Sequence, residues 1–321
     1  MFSRIAGTGS YAPERVLTNA ELEGMVETSD EWIRSRTGIE RRHIAADDEK
    51  TSSLAIRAAR RAMEAAGVTG VDVDFIAIGT TTPDVVFPNV GCLIQEALDI
   101  PACPTMQLEA ACTGFIYALS VADQYVKAGT AKCALVIGAE TLSRVTDWTD
   151  RNTCVLFGDG AGAVILKPDE NNGVISTHLG ADGRYRHLLK MDAGPSQRLT
   201  DVVRGEAFIQ MAGNEVFKVA VKTLERIVDV TLEENGIDKS DIDWLIPHQA
   251  NIRIIQATAK RLAMPMDQVV LTVQEYGNTS AASVPMALDT AVRDGRVQRG
   301  QLLLLEAFGG GFTWGSALVR F

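Results

Sequence analysis

Cys112 stands in the run Glu109-Ala110-Ala111-Cys112-Thr113-Gly114, after a candidate strand, Thr105–Leu108, and before a candidate helix, Gly114–Lys127. A cysteine at such a strand-to-helix turn, with small neighbours on both sides, keeps its sulfur accessible. A helix N-terminus points unpaired N–H groups and a positive dipole end at it. These conditions predict a lowered thiol pKa and a nucleophile able to form a covalent intermediate. The same pattern also suits a small buried residue.

His248 closes the apolar segment Trp244-Leu245-Ile246-Pro247. In α/β folds the carboxyl end of a strand is where ligand-binding groups collect. Of the four histidines it alone has this setting. His43 follows two arginines and reads as a rim residue, while His178 and His187 flank a glycine-rich turn. A structural histidine remains an alternative for His248. Asn278, in Tyr276-Gly277-Asn278-Thr279-Ser280, precedes a second helical stretch much as Cys112 precedes its own, and an ordinary helix cap is the competing reading. Phe308-Gly309-Gly310-Gly311-Phe312 follows a strand and suits either a backbone N–H aimed at a developing oxyanion or a tight turn. Phe157-Gly158-Asp159-Gly160-Ala161-Gly162 lacks the spacing of a phosphate-cradling loop and reads as a turn into a strand.

The elements that must position these residues alternate. Apolar runs at 75–78, 134–137 and 163–166 in the first half, and at 244–246, 302–305 and 317–319 in the second, suit strands covered on both faces. From Ile76 to Leu135 is 59 residues and from Leu245 to Leu303 is 58, and each interval holds a helical stretch ending near a glycine, Gly129 or Gly295. A duplicated strand–helix–strand unit explains this spacing. Helices are expected at Thr51–Ala66, Gly114–Lys127, 251–262 and 281–293, with a long tract at 208–234 reading as two helices. The polar segment Pro168-Asp169-Glu170-Asn171-Asn172-Gly173 divides the chain into halves, 1–170 with the cysteine and 171–321 with the histidine and asparagine. The fold class is α/β with mainly parallel sheets. Two fused halves would stack as five layers, α-β-α-β-α.

Bulk properties narrow the function. With 321 residues, 46% of them apolar, there is material for two packed halves. A formal net charge of −10 argues against nucleic-acid binding. No apolar run has the length of a membrane span, and the opening residues do not read as a signal peptide. A cytoplasmic protein is expected. Five cysteines without CxxC spacing argue against a dithiol redox site and give no metal-ligand pattern.

Taken together, EAACTGF around Cys112, FGDGAGA from Phe157, PHQAN around His248, GNTSAAS around Asn278 and the terminal AFGGGFTWGSALVRF resemble the beta-ketoacyl-acyl carrier protein synthase III family, of the thiolase-like superfamily. The opening TGSYAPERVLTN and SDEWIRSRTGIERRHI match too, so the resemblance covers the whole chain. Elongating relatives carry two histidines beside the cysteine; the asparagine at 278 matches the initiating type. Plant-type polyketide synthases share Cys, His and Asn but are longer and lack the terminal motif. A degradative thiolase would bring a second reactive cysteine near its C-terminus, and no cysteine follows Cys154. A Cys–His hydrolase and a non-catalytic scaffold subunit are the further rivals, the last disfavoured by the intact triad.

The resemblance implies a thiolase-like fold with duplicated halves and decarboxylative Claisen condensation of an acyl-CoA starter, acetyl-CoA by default, with malonyl-acyl carrier protein. Cys112, His248 and Asn278 would be catalytic, and the N–H groups of Cys112 and Gly310 would form the oxyanion hole. Thr28, Trp32, Arg36 and Arg151 would bind CoA, with adenine between Trp32 and Arg151. Phe87, from the neighbouring subunit of a homodimer, would line the acyl pocket with Leu142, Leu156 and Phe157. Lys218, Arg253, Lys260 and Arg261 would dock the acidic carrier protein. No cofactor or metal is implied, since the CoA thioesters are substrates. A role in a specialised metabolite pathway is the alternative.

Overall fold

The computed structural model describes residues 1–204 and 206–321, without the side chains of Leu199, Val202 and Val203. Its first large sheet has the order β1-β7-β6-β4-β5, built from β1 (Phe2–Tyr11), β4 (Phe75–Gly79), β5 (Thr105–Leu108), β6 (Ala134–Thr141) and β7 (Asp159–Asp169). The second has the order β11-β12-β13-β8, built from β8 (Gly173–Ala181), β11 (Trp244–Pro247), β12 (Leu302–Gly309) and β13 (Thr313–Arg320). Two small ribbons complete the strands: β2 (Arg15–Thr18) with β3 (Arg41–Ile44), and β9 (Leu189–Met191) with β10 (Ile209–Met211).

The apolar runs form strands because both faces of each sheet are covered. Phe75 and Ala77 of β4 face a core shared with Ala134 and Val136 of β6, whereas Ile76, Ile78, Leu135 and Ile137 face the opposite cluster. The shared core holds Phe115, Ile116, Leu119 and Val126 of helix Gly114–Lys127 and Val284, Ala287, Leu288 and Ala291 of helix Ser283–Arg293. It reaches Leu303, Leu305, Ala317 and Val319 of the second sheet. Helix Thr51–Ala66 covers the outer face of the first sheet, and helices Gly213–Asn235 and Ile252–Leu262 pack outside the second. The result is helices, sheet, shared helices, sheet, helices.

The duplication is visible in register. Ile76 pairs with Leu135 and Leu245 with Leu304, both in parallel and both 59 residues apart. The sheets are mixed, however. β7 runs antiparallel to β6 and β1, and β13 antiparallel to β12 and β8. Apolar runs report burial of both faces, not strand direction, so the expectation of mainly parallel sheets fails here. Two other expectations are corrected. Tract 208–234 is one helix, Gly213–Asn235, preceded by β10. Gly160 and Gly162 of FGDGAGA lie within β7 rather than in a turn, with Gly158 just ahead of it, because helix Ser283–Arg293 crosses there: a Cβ on Gly162 would meet the Pro285 backbone at 2.7 Å. No helix among the described residues is long and apolar enough to cross a membrane.

Candidate active site

β5 delivers the chain to Glu109-Ala110, then a 3-10 turn, Ala111–Thr113, then helix Gly114–Lys127. Ala111 adopts φ of +46°, a strained backbone for a residue with a Cβ. The turn is strapped from β13: Thr313 Oγ1 donates to the Ala110 carbonyl at 2.9 Å and stands 3.2 Å from Thr113 Oγ1. Gly309 packs beneath it, and a Cβ there would stand 2.7 Å from the Cys112 nitrogen. Gly310 lines a cavity with Cys112, and its N–H donates to no backbone carbonyl among the described residues.

The second half repeats this construction. A 3-10 turn, Ser280–Ala282, opens helix Ser283–Arg293, and Ser280 has φ of +49°. Matching the two turns pairs Ala111 with Ser280 and Cys112 with Ala281. Asn278 therefore corresponds to Glu109, three residues away from the position the sequence spacing suggested. The turns meet at the centre, where a Cβ on Gly114 would lie 3.2 Å from Ala281 Cβ.

Cys112, His248 and Asn278 line one cavity of about 110 Å³, together with Leu156, Phe157 and Phe308. Cys112 and Phe157 also line a neighbouring, more open cavity of about 440 Å³ with Leu142, Thr81, Ser280 and Gly310. Cys112 therefore borders two chambers. A wide groove, about 810 Å³, lies away from these residues and is lined by Lys218, Lys222, Arg226 and Trp314. Volume alone is a poor guide to the chemistry, since this groove holds none of the three.

His248 is placed by its N–H, which donates to the Glu306 carbonyl at 2.8 Å. The next residue, Gln249, ties the strand end down: its Nε2 donates to the Pro247 and Val270 carbonyls, and its Oε1 accepts from the Thr272 and Val273 N–H groups. Asn278 is held by its backbone against Leu156 and Gly158. Its Oδ1 accepts the Ser280 N–H at 2.9 Å, which leaves the amide NH₂ as a donor toward the cavity.

The charge states differ from the expected thiolate. Burial pushes the Cys112 thiol up to about 12, with Glu140 and Glu109 adding to it, while the Ser280 hydroxyl and the residue's own N–H work the other way. Burial pushes the His248 imidazole down to about 3, and its Nδ1 has no hydrogen-bond partner. At rest the pair is neutral. The helix-end argument identified a real favourable effect, but desolvation of the sulfur outweighs it.

The remaining predicted residues divide between the cavities and the surface. The Arg151 guanidinium lies over the Trp32 ring, 4.2 Å from its centroid, so the two are stacked on each other with no ring's thickness between them. Thr28 Oγ1 and Arg151 Nε are buried without partners, and Arg36 is exposed. Phe87 is 83% exposed and lines neither of the cavities at Cys112. Leu142, Leu156 and Phe157 are at the cavities, as anticipated. Arg253 sits over the Phe217 ring at 5.0 Å and Lys260 is exposed on the same helix. Arg261 is engaged by Asp229, and Lys218 faces the separate large groove.

Sequence reasoning found no carboxylate at the site; the structure has two close behind it. Glu140 and Glu306 are buried, and burial raises them to about 7 and about 8. A lone acid at the end of an apolar strand, as in Leu302-Leu303-Leu304-Leu305-Glu306, was the available signal. Among the described residues no group of three His, Cys, Asp or Glu side chains could hold a metal ion.

Family models for 3-oxoacyl-[acyl-carrier-protein] synthase III match residues 106–183 and, for its C-terminal part, residues 232–321. The chain belongs to the 3-oxoacyl-[acyl-carrier-protein] synthase III family. A relative from Thioalkalivibrio sulfidiphilus, named beta-ketoacyl-[acyl-carrier-protein] synthase III, is 64% identical over 100% of this chain and 99% of its own. The crystal structure of the Aquifex aeolicus synthase III is 45% identical, with a TM-score of 0.93 over 99% of this chain and 100% of that one. The priming beta-ketosynthase of the R1128 polyketide pathway is 37% identical, with a TM-score of 0.94 over 99% of this chain and 96% of that one. The fold is accordingly the thiolase-like fold of this family.

Proposed function

We propose that this chain is the acyltransferase that opens fatty-acid synthesis: it condenses an acyl-CoA starter with malonyl-acyl carrier protein to give a 3-oxoacyl-carrier protein, CoA and carbon dioxide. The observation that carries this reading is the convergence of Cys112, His248 and the donor end of Asn278 on one cavity. Cys112 attacks the starter thioester, and the N–H groups of Cys112 and Gly310 receive the oxyanion. CoA leaves and an acyl-enzyme remains. Malonyl-carrier then binds, and loss of carbon dioxide places negative charge on its thioester oxygen. The neutral imidazole of His248 and the amide of Asn278 donate to that oxygen, each contributing about 3 kcal/mol in a dry site.

The two chambers at Cys112 support a division between an entry for the pantetheine arm and a pocket for the acyl chain, with Leu142, Leu156 and Phe157 as walls. Phe87, exposed in the single chain, fits a residue covered by a second copy in a homodimer. For CoA, an adenine entering between Trp32 and Arg151 must part their stack, and the orphaned Thr28 Oγ1 and Arg151 Nε are free to contact it. Arg36 supplies a cation nearby. The acidic carrier docks on Arg253 and Lys260, with Lys218 at the edge and Arg261 diminished by its pairing with Asp229. Residues 1–170 supply the nucleophile and 171–321 the two donors, the chain crossing between sheets at 170–172. The enzyme needs no cofactor and works in the cytoplasm.

The similarity to a polyketide priming synthase favours a second reading in the same chemistry, with a longer starter. One experiment tests both: the protein is incubated with a panel of acyl-CoAs, weighed intact, and then given malonyl-carrier. An acetyl adduct on Cys112 that malonyl-carrier discharges as 3-oxobutyryl-carrier supports the first. Acylation by longer chains alone supports the second, and no adduct on Cys112 defeats both.

A further inference from the structure

The resting site contains a thiol, so the Cys112 proton must go somewhere when sulfur attacks. His248 is poorly placed to hold it as a cation. It is buried, and among the described residues no carboxylate is hydrogen-bonded to it and its Nδ1 has no partner. Behind the cavity wall, on the other side of Cys112, lies a different acceptor.

Glu140, at the end of β6, is fully buried. Six donors surround its carboxylate: the hydroxyls of Thr80, Thr81 and Thr82, the N–H groups of Thr81 and Thr82, and the hydroxyl of Ser280. The shortest is Thr82 Oγ1 at 2.6 Å; Ser280 Oγ stands at 3.1 Å from Oε1. The Ser280 hydroxyl also acts on the Cys112 thiol, lowering it against the effect of burial, and the two residues border the same chamber. Ser280 and Thr81 line the open chamber with Cys112, so Glu140 is one hydroxyl removed from the thiol and screened from solvent by the same residues. With Ser280 donating to Glu140, its lone pairs are free to accept from the thiol.

We propose that Glu140 is a positioning residue that, through the Ser280 hydroxyl, holds the Cys112 proton during the acyl-enzyme stage. This rests on the condensing reaction proposed above. As the Cys112 sulfur bonds to the acyl carbon its S–H bond breaks; the proton passes to Ser280 Oγ, and the Ser280 proton passes to Glu140 Oε1. CoA departs as a thiolate and is protonated by water. When condensation breaks the acyl–sulfur bond, the Cys112 thiolate takes a proton from Ser280, which recovers one from Glu140. One proton is stored and returned, and the one taken up by CoA is the one the overall reaction consumes.

Electrostatics favour the exchange. The ionised Glu140 raises the thiol, as does Glu109, with His248 across the cavity as the other titratable group facing Cys112. Moving the proton to Glu140 removes the nearer repulsion as the thiolate forms. The groups that hydrogen-bond Glu140, from the segment after β4 and from the 3-10 turn, are hydroxyls and backbone N–H groups without a cation among them. Its carboxyl is raised to about 7 by burial, with the hydrogen bonds opposing.

The test is single-turnover acylation of Cys112 from acetyl-CoA, followed by intact mass from about pH 5 to about pH 10. The wild-type rate should rise through a midpoint of about 7 and level off. In Glu140→Gln the plateau should fall about a hundredfold and the midpoint vanish, the rate climbing to the top of the range. Ser280→Ala keeps the threonine cage and should do the same, and it decides the matter if Glu140→Gln does not fold. A variant that is slowed but keeps the midpoint near 7 reveals a merely structural role and overturns the proposal, as does a wild-type rate in Ser280→Ala. Absence of acylation in the wild type would instead overturn the condensing-enzyme reading on which this rests.

Discussion

Asn278 Oδ1 accepts the N–H of Ser280 at 2.9 Å, and this one bond decides what the asparagine can do. With its acceptor spent inside its own turn, the side chain presents only N–H to the cavity. Ser280 in turn reaches Glu140 through its hydroxyl. A single turn thus leaves the Asn278 amide as a donor toward the cavity and ties a hydroxyl beside Cys112 to a buried acid.

Asn278→Ala removes that donor. Decarboxylation of malonyl-carrier should fall about a hundredfold, whereas acylation of Cys112 should change far less, because the oxyanion of that step is met by backbone N–H groups. The two rates are separable by following carbon dioxide release and protein mass. Equal losses would remove Asn278 from the decarboxylation step. Cys112→Ser is the companion control: acyl transfer should be lost with thermal stability kept.

Arg253 and Arg261 lie on one helix and make a paired test of docking. Arg253 is free of carboxylate partners among the described residues, whereas Arg261 is engaged by Asp229. Arg253→Glu should raise the apparent KM for malonyl-carrier about tenfold at low salt, with the effect shrinking as salt is added, and leave acyl-CoA use unchanged. Arg261→Ala should cost much less. Equal effects from the two substitutions would place the carrier elsewhere.

The sequence made the strands, the helix Thr51–Ala66 and the three converging residues legible, because apolar periodicity and punctuating glycines report burial and turns directly. Strand direction was not legible, since β7 and β13 carry the same apolar signature as their parallel neighbours. The offset between Asn278 and Cys112 was also hidden, because matching helix ends does not locate a 3-10 turn. The charge state of Cys112 could not be read at all. It depends on how much water the second half of the chain excludes and on Glu140, which is 28 residues away in sequence.

Glu306 makes stability depend on pH. Its folded pKa is raised by burial to about 8 from an ordinary value of 4.5, with Thr258 opposing the rise. A group raised in this direction contributes stability that is fully present below its unfolded pKa and is lost as pH rises through the folded one. The wild type should therefore lose stability between about pH 4.5 and about pH 8. Glu306→Gln lacks the ionisation, so its Tm relative to wild type should rise steadily across that window. A Tm difference that stays flat with pH would mean Glu306 is ionised in the folded protein throughout.

Gly309 tests whether the nucleophile turn tolerates displacement. It ends β12 directly under Cys112, where an added Cβ would stand 2.7 Å from the Cys112 nitrogen and 3.2 Å from the Ala110 carbonyl oxygen. Both contacts are backbone, so no side chain can swing aside to relieve them. The turn above is also strapped by Thr313 and strained at Ala111. Gly309→Ala should lower stability by about 1–3 kcal/mol through overpacking and move the Cys112 N–H off the oxyanion. A shift of that N–H removes a preorganised donor, so Cys112 acylation should slow about a hundredfold. Gly310→Ala is the contrast, since its added Cβ meets Leu189 and Ala111 only at 3.3 Å and beyond, and it should be the milder change in both denaturation and single-turnover acylation. A Gly309→Ala protein as active as wild type would show that the turn shifts without moving the donor.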